Sequence, residues 1–268
     1  MILLHKQKYH RGIKMLFDTH AHFDDEQFDK DRDEVLKSLA SLGVTNIVNI
    51  GADMKGSEDS VALAEKYSFV YATVGVHPSE TGDMSEQDIG RLRELASHPK
   101  VRAIGEIGLD YHYDDNAAPE IQKKWFIRQL ELAQELSMPV VIHDRESKGE
   151  CLEILKDKKV SNGVVHCFSG SAETAREILK LGMMISFTGV LTFKNARRAV
   201  EACAAIPIER LMIETDCPYM APEPHRGERN FSGYVEFVAR KVAEIKGMTF
   251  EDVARITNEN AKRFYGIS

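Results

Sequence analysis

An alternation constrains the fold most. From Met15 to the C-terminus, eight short β-rich runs alternate with helical segments, and no shift in composition marks a linker. The runs are the strand ending at His20 and His22, then residues 46–51, 70–78, 101–110, 139–143, 163–168, 183–189 and 211–216. Helical segments are read over 27–42, 57–67, 85–97, 119–136, 147–158, 171–181 and 193–205, from apolar spacing and start signals such as Ser85 and Pro119. Two further helices are expected near 233–246 and 249–258. Alternation of this kind implies a parallel sheet. Eight repeats in 268 residues imply an α/β chain of the (β/α)8 TIM-barrel type. An open doubly wound sheet is the competing architecture, but no glycine-rich dinucleotide fingerprint follows the first strand.

Active sites of such barrels lie at the C-terminal ends of the strands, and there the unusual residues line up. His20 and His22 end the first run; residues i and i+2 of a strand share a face, so both imidazoles project together. Glu106 is read as ending the fourth strand, His143 the fifth, His166 the sixth and Asp216 the eighth. Singly, each has an ordinary explanation. His143 or His166 could be a core histidine, Asp216 a helix cap, and Glu106 a partner for a lysine. Jointly they are coordinating residues at five strand ends. Six ligands exceed the need of one metal and suit two ions about 3.5–4 Å apart, bridged by a carboxylate.

Composition narrows the partners. Hydrophobic residues make up 43% and charged residues 29%, ordinary for a globular chain, and no apolar run approaches the length of a membrane span. A formal net charge of −7 argues against a broad electrostatic nucleic-acid surface, so any phosphate contact must be local. Cys151, Cys167, Cys203 and Cys217 form no CxxC pair and read as reduced thiols of a cytoplasmic protein. Residues 1–14 are basic, too weakly apolar for a secretory signal, and read as an extension outside a single domain spanning 15–268. Nothing in the sequence marks an obligate protein partner.

Seven ordered blocks then carry a resemblance. They are Asp18-Thr19-His20-Ala21-His22, Gly75-Val76-His77-Pro78, Gly105 through Tyr111, Ile142-His143-Asp144-Arg145, His166 through Gly170, Glu214 through Tyr219, and Arg226 through Asn230. Together they resemble the signature of the TatD family of metal-dependent deoxyribonucleases, which belongs to the amidohydrolase-like barrels. The resemblance runs from Met15 to the C-terminus. It implies that His20, His22 and Asp216 hold one metal and His143 and His166 the other, with Glu106 bridging. It also implies magnesium-dependent nuclease activity, although so many imidazoles suit zinc or manganese better than magnesium alone.

The expected chemistry is hydrolysis of a phosphodiester in DNA, preferably single-stranded or at frayed ends. Two divalent cations would neutralise the substrate and lower the pKa of a water, and Asp216 would act as general base. His77 is expected either to face substrate or to support the ligands. Arg226, on the loop after strand eight, is a candidate phosphate clamp, whereas Arg229 reads as a surface salt-bridge partner. Tyr111, Phe168 and Tyr219 could stack on bases or simply wall the pocket. Asp18 and Glu214 share strand parity with His22 and Asp216, so both are expected to be buried and to accept hydrogen bonds from ligand imidazoles or neighbouring donors. A small-molecule hydrolase acting on an amide, ester or phosphoester with the same metal centre is the alternative function.

Overall fold

The structure, a computed structural model, describes residues 15–268; the expected extension over 1–14 lies outside the described residues. Strands β1 (Leu16–Ala21), β2 (Val44–Asn49), β3 (Val70–Val74), β4 (Val101–Asp110), β5 (Val140–Arg145), β6 (Gly163–Val165), β7 (Met184–Phe187) and β8 (Leu211–Ile213) form one sheet in chain order. Every adjacent pair is parallel. The sheet closes at its upper rim, where Asp216 N–H donates to the His20 carbonyl at 2.9 Å and His22 N–H to the Cys217 carbonyl at 2.8 Å. The chain therefore folds as the (β/α)8 barrel that the alternation implies.

The helices are α1 (Arg32–Ser38), α2 (Met54–Lys66), α3 (Glu86–Ala96), α4 (Pro119–Leu136), α5 (Glu150–Asp157), α6 (Ala172–Lys180), α7 (Arg197–Ala205), α8 (Val235–Lys246) and α9 (Phe250–Tyr265). Local chemistry sets their starts. Ser85 and Asp88 form a capping box on α3, and the Asp53, Ser171 and Thr249 side chains cap α2, α6 and α9. Two helices differ from expectation. The segment read as one helix over 27–42 breaks into short 3-10 turns on either side of α1, and α9 runs on past Asn258 to Tyr265. Its C-terminal end plugs the barrel floor: Tyr265 stacks on Phe17 at 6.2 Å between centroids, and its hydroxyl donates to the Thr19 carbonyl at 3.1 Å.

The core has two parts. Inside the barrel, Phe17, Val48, Ala103, Val141, Val164, Met184 and Met212 form a compact cluster joined by Ala261, Tyr265 and Ile267. Outside, the opposite faces of the strands pack on the helices. Interior filling by branched and long apolar side chains makes the lower barrel a solid core, so the open end is left as the place for chemistry. Two strands depart from regular alternation just below that end. Leu16 and Ala21, five residues apart, both pack in the outer cluster, and the β1–β2 register slips between Asp18 and Ala21. Ile104 and Ile107 likewise both face outward, and the β4–β5 register slips between them. Such irregularities re-aim side chains. Here they lie at His20 and at Glu106, which sits within β4 and not at its end as expected, because the strand runs on to Asp110.

Candidate metal centre

Glu106 is the hub. It is buried, and its two oxygens look at different pairs of imidazoles. Oε1 is 2.6 Å from His166 Nε2 and 2.7 Å from His143 Nδ1, while Oε2 is 3.4 Å from His20 Nε2 and 3.8 Å from His22 Nε2. Asp216 completes the second group, with Oδ1 at 3.5 Å from His20 Nε2 and 3.4 Å from His22 Nε2. It sits three residues beyond the end of β8, with a positive φ of 57°.

The donor set suits divalent cations. His20 Nε2 and His22 Nε2 are 3.1 Å apart, and His143 Nδ1 and His166 Nε2 are 3.2 Å apart. A neutral imidazole has one acceptor nitrogen, and converging acceptors in a buried site are what a cation bound between them requires. Two triads that share His20 have ligand atoms within 4.8 Å of one another: His20, Glu106 and His166, and His20, His22 and Asp216. A third such group is His77, Asp110 and His143. His20 Nδ1 lacks a hydrogen-bond partner, and the nearest acceptor to His166 Nδ1 is Glu214 Oε1 at 3.4 Å.

Charge in the metal-free cluster follows from these contacts. Burial works against ionisation of Glu106, but the charges of His166 and His77 and the hydrogen bonds from His143 and His166 overcome it and hold the carboxyl well below its usual range. Asp216 is lowered to about 2 against its burial by the His22 hydrogen bond and the charges of His20, His166 and His22. Burial opposes protonation of His22 and His166 too. The hydrogen bond and charge of Asp216 nevertheless push His22 up to about 9, and the charge and hydrogen bond of Glu106 raise His166 well above normal. His20 goes the other way, lowered by burial and by the charge of His166, on which it stacks at 4.0 Å between centroids. The cluster thus holds protons where cations would sit.

The supporting groups come next. Asp18 is fully buried. It accepts from Thr215 N–H at 2.8 Å, from the Thr215 hydroxyl at 2.5 Å and from the Ser232 hydroxyl at 2.5 Å. Its donors are therefore neighbouring groups and not ligand imidazoles. Burial pushes its carboxyl up to about 7 in spite of those bonds. Glu214, also buried, accepts from Cys167 N–H at 2.7 Å and from the Ser186 hydroxyl at 2.6 Å, with Oε1 3.4 Å from His166 Nδ1. Asp110 was not singled out by sequence reasoning as a site residue. Its Oδ2 lies 3.2 Å from His143 Nε2, and its position at the end of β4, opposite Arg145 in register, is the signal that was available.

Not every candidate for substrate contact is brought to the cluster. His77 is: its ring meets that of His143 edge-on at 4.3 Å, its Nε2 is 3.7 Å from Glu106 Oε1, and burial and the His143 charge lower it to about 3. Tyr219 stands at the rim, 6.3 Å from the His22 ring, with its hydroxyl on Asp25 at 2.6 Å. Tyr111 turns sideways, packs on the outer core and bonds Glu150 at 3.0 Å. The Arg226 guanidinium lies over the Phe193 ring at 3.9 Å and donates to the Ala221 carbonyl at 3.3 Å. Arg229 pairs with Asp31 at 2.6 Å. Phe168 is buried against Phe187. All four cysteines are free, and Cys151, Cys203 and Cys217 are buried.

Histidines and carboxylates gathered at the C-terminal mouth of a parallel barrel are the mark of the metal-dependent hydrolases, and comparison with known proteins narrows this class. The family model for TatD-related DNases matches residues 17–266. A metal-dependent hydrolase named YabD from Bacillus subtilis is 46% identical over 256 residues, covering 95% of this chain and all of that one. A 3'-5' ssDNA/RNA exonuclease TatD from Cronobacter sakazakii is 34% identical over 260 residues, covering 93% and 97%. The crystal structure of YJJV, a TatD homolog from Escherichia coli, superposes with a TM-score of 0.89 at 29% identity, covering 96% of this chain and all of that one. The chain belongs to the TatD-related DNase family and is a metal-dependent hydrolase. Among the described residues no helix is long and apolar enough to cross a membrane.

Proposed function

We propose that the protein hydrolyses phosphodiester bonds in nucleic acid, trimming single-stranded or frayed DNA ends with two divalent metal ions. The observation that carries this reading is the division of the Glu106 carboxylate, one oxygen toward His143 and His166 and the other toward His20 and His22. His20, His22 and Asp216 would hold one cation and His143 and His166 the other, with Glu106 shared. When bound, such a pair neutralises the anionic diester and lowers the pKa of a water. Asp216, held ionised, is the residue that accepts the proton. His77, close to Glu106 but only partly buried, faces substrate. Glu214 and Asp18 fix the ends of β6 and β8, from which His166 and Asp216 project. The name of the Cronobacter relative, an exonuclease on single-stranded DNA and RNA, supports the substrate class.

The test is hydrolysis of an end-labelled single-stranded oligonucleotide by metal-stripped protein, by protein reloaded with magnesium, manganese or zinc, and by Glu106→Ala. Metal-dependent shortening that the variant lacks is expected. Protein that holds two ions yet leaves DNA and RNA intact while hydrolysing a small ester would replace this reading with the small-molecule one.

A further inference from the structure

Arg145 is the last residue of β5, two beyond His143. Val141 fills the barrel interior and His143 joins the metal cluster, so Arg145 is the next residue on that same inward face. Two strand residues span about 7 Å, so the Arg145 backbone stands at the mouth, one nucleotide's length along β5 from His143. Its charge is uncommitted. Arg91 ends on Glu58 and Arg93 on Glu135, whereas Arg145 forms no ion pair among the described residues. The carboxylates nearest to it in the chain are engaged elsewhere. Asp144, its chain neighbour, accepts from Ser147; Asp110, its register partner on β4, faces His143; and Glu146 is 2.7 Å from His112 Nδ1.

The guanidinium instead lies against Tyr113, 4.9 Å from the ring centroid, and donates to its hydroxyl at 3.3 Å. Tyr113 is 52% exposed, one of few large apolar side chains so open to solvent. An unpaired arginine held by an exposed aromatic ring, at the rim of a site for an anionic polymer, is the chemistry that binds one nucleotide: the fork takes a phosphate and the ring takes a base. Tyr111, the neighbouring aromatic, cannot serve because its hydroxyl is tied to Glu150 and its ring to the outer core.

We infer that Arg145 and Tyr113 form a subsite for the nucleotide flanking the scissile phosphate, with Arg145 on that nucleotide's phosphate and Tyr113 on its base. The inference rests on the nuclease reading above and adds where the polymer lies. It would favour single strands, since a base must leave its stack to reach Tyr113.

The experiment compares metal-loaded wild type, Arg145→Gln, Arg145→Lys, Tyr113→Ala and Tyr113→Phe on a single-stranded oligonucleotide and on bis(p-nitrophenyl) phosphate, which has no flanking nucleotide. For the oligonucleotide, kcat/KM is followed across a salt series. Arg145→Gln should reduce the slope of log kcat/KM against log salt by about 0.7, the value for one single-strand phosphate contact. It should also lose at least about tenfold more on the oligonucleotide than on the small diester, while Arg145→Lys keeps the slope. Tyr113→Ala should lose about 5-fold or more on the oligonucleotide, as for one stacked base, and Tyr113→Phe should restore it. Equal losses on both substrates, or an unchanged slope in Arg145→Gln, overturn the subsite and leave the nuclease reading standing. Wild type that hydrolyses the small diester but no oligonucleotide overturns both.

Discussion

Asp18 on β1 and Thr215, two residues beyond β8, are joined by two hydrogen bonds, from the Thr215 N–H at 2.8 Å and from its hydroxyl at 2.5 Å. They clasp the seam at which the barrel closes. Two candidate ligands, His20 and His22, follow Asp18, and a third, Asp216, follows Thr215. Four donors point at the Asp18 carboxylate, the Thr215 N–H and hydroxyl, the Ser232 hydroxyl and, at 3.4 Å, the His20 N–H, so an amide in its place would set donor against donor. Asp18→Asn is expected to fold but to lose about 1–3 kcal/mol, the cost of an unsatisfied buried group, and to bind metal about 10–100-fold more weakly. Denaturant unfolding and competition with a chelator measure the two effects. Lower stability with unchanged metal affinity would reduce Asp18 to a purely structural clasp.

Metal binding should be steeply pH-dependent because cations must displace protons. In the metal-free protein His22 is raised from 6.5 to about 9, chiefly through Asp216 acting against burial. A histidine whose folded pKa lies above its unfolded value contributes stability that is complete below the unfolded pKa and disappears as pH rises through the folded one. Metal-free protein is therefore expected to lose stability between about pH 6.5 and 9, while metal affinity climbs over the same window by up to about tenfold per pH unit for each proton displaced. Calorimetric titration at several pH values in buffers of different ionisation heat counts the protons released. Release of none at pH 7 would contradict protonated His22.

Much of this was legible in the sequence because strand ends in a barrel share one address. His20, His22, Glu106, His143, His166 and Asp216 were placed at a common mouth by counting alternating elements, and the structure brings their side chains within contact of one another. What could not be read was orientation near irregular backbone. Parity put Asp18 on the face of His20 and His22, but the β1 register slips between Asp18 and Ala21, and its carboxylate meets Thr215 and Ser232. Tyr111 and Tyr113 illustrate the same limit beyond a strand end, where alternation no longer tells which ring is buried. Arg226 was a candidate phosphate clamp from its place on the loop after β8. Its stacking on Phe193 depends on residues 33 positions away, which no local pattern encodes.

Glu106 separates the metal role from simple packing. Its carboxylate offers one oxygen to each imidazole pair, so an isosteric amide retains volume while losing the negative charge and one acceptor. Glu106→Gln is expected to keep the far-ultraviolet circular dichroism of the wild type and to lower kcat by at least about a hundredfold, given that metal charge stabilisation contributes several kcal/mol. Elemental analysis after dialysis should find reduced metal content. A variant that keeps full metal content and wild-type kcat would show that the carboxylate is not shared between ions.

Two glycines give opposite predictions from the same substitution. At Gly108 the backbone has φ +152°, and an added Cβ would fall 1.9 Å from the His143 carbonyl oxygen. Neither backbone atoms nor a positive φ can yield cheaply, because β4 and β5 are hydrogen-bonded neighbours here, with Gly108 opposite His143 in register. Gly108→Ala is expected to cost more than about 4 kcal/mol, in the range reserved for strain and overpacking, and to displace His143 from the cluster. Gly90 lies inside α3, exposed, with nothing within 4 Å of an added Cβ and no positive φ. Gly90→Ala is expected to stabilise the protein by about 0.8–1 kcal/mol through helix propensity alone, with no change in metal affinity. Denaturant unfolding of both variants, with metal content measured beside it, tests the pair. A mild Gly108→Ala that retains its metal would mean that β4 and β5 can separate without disturbing the site.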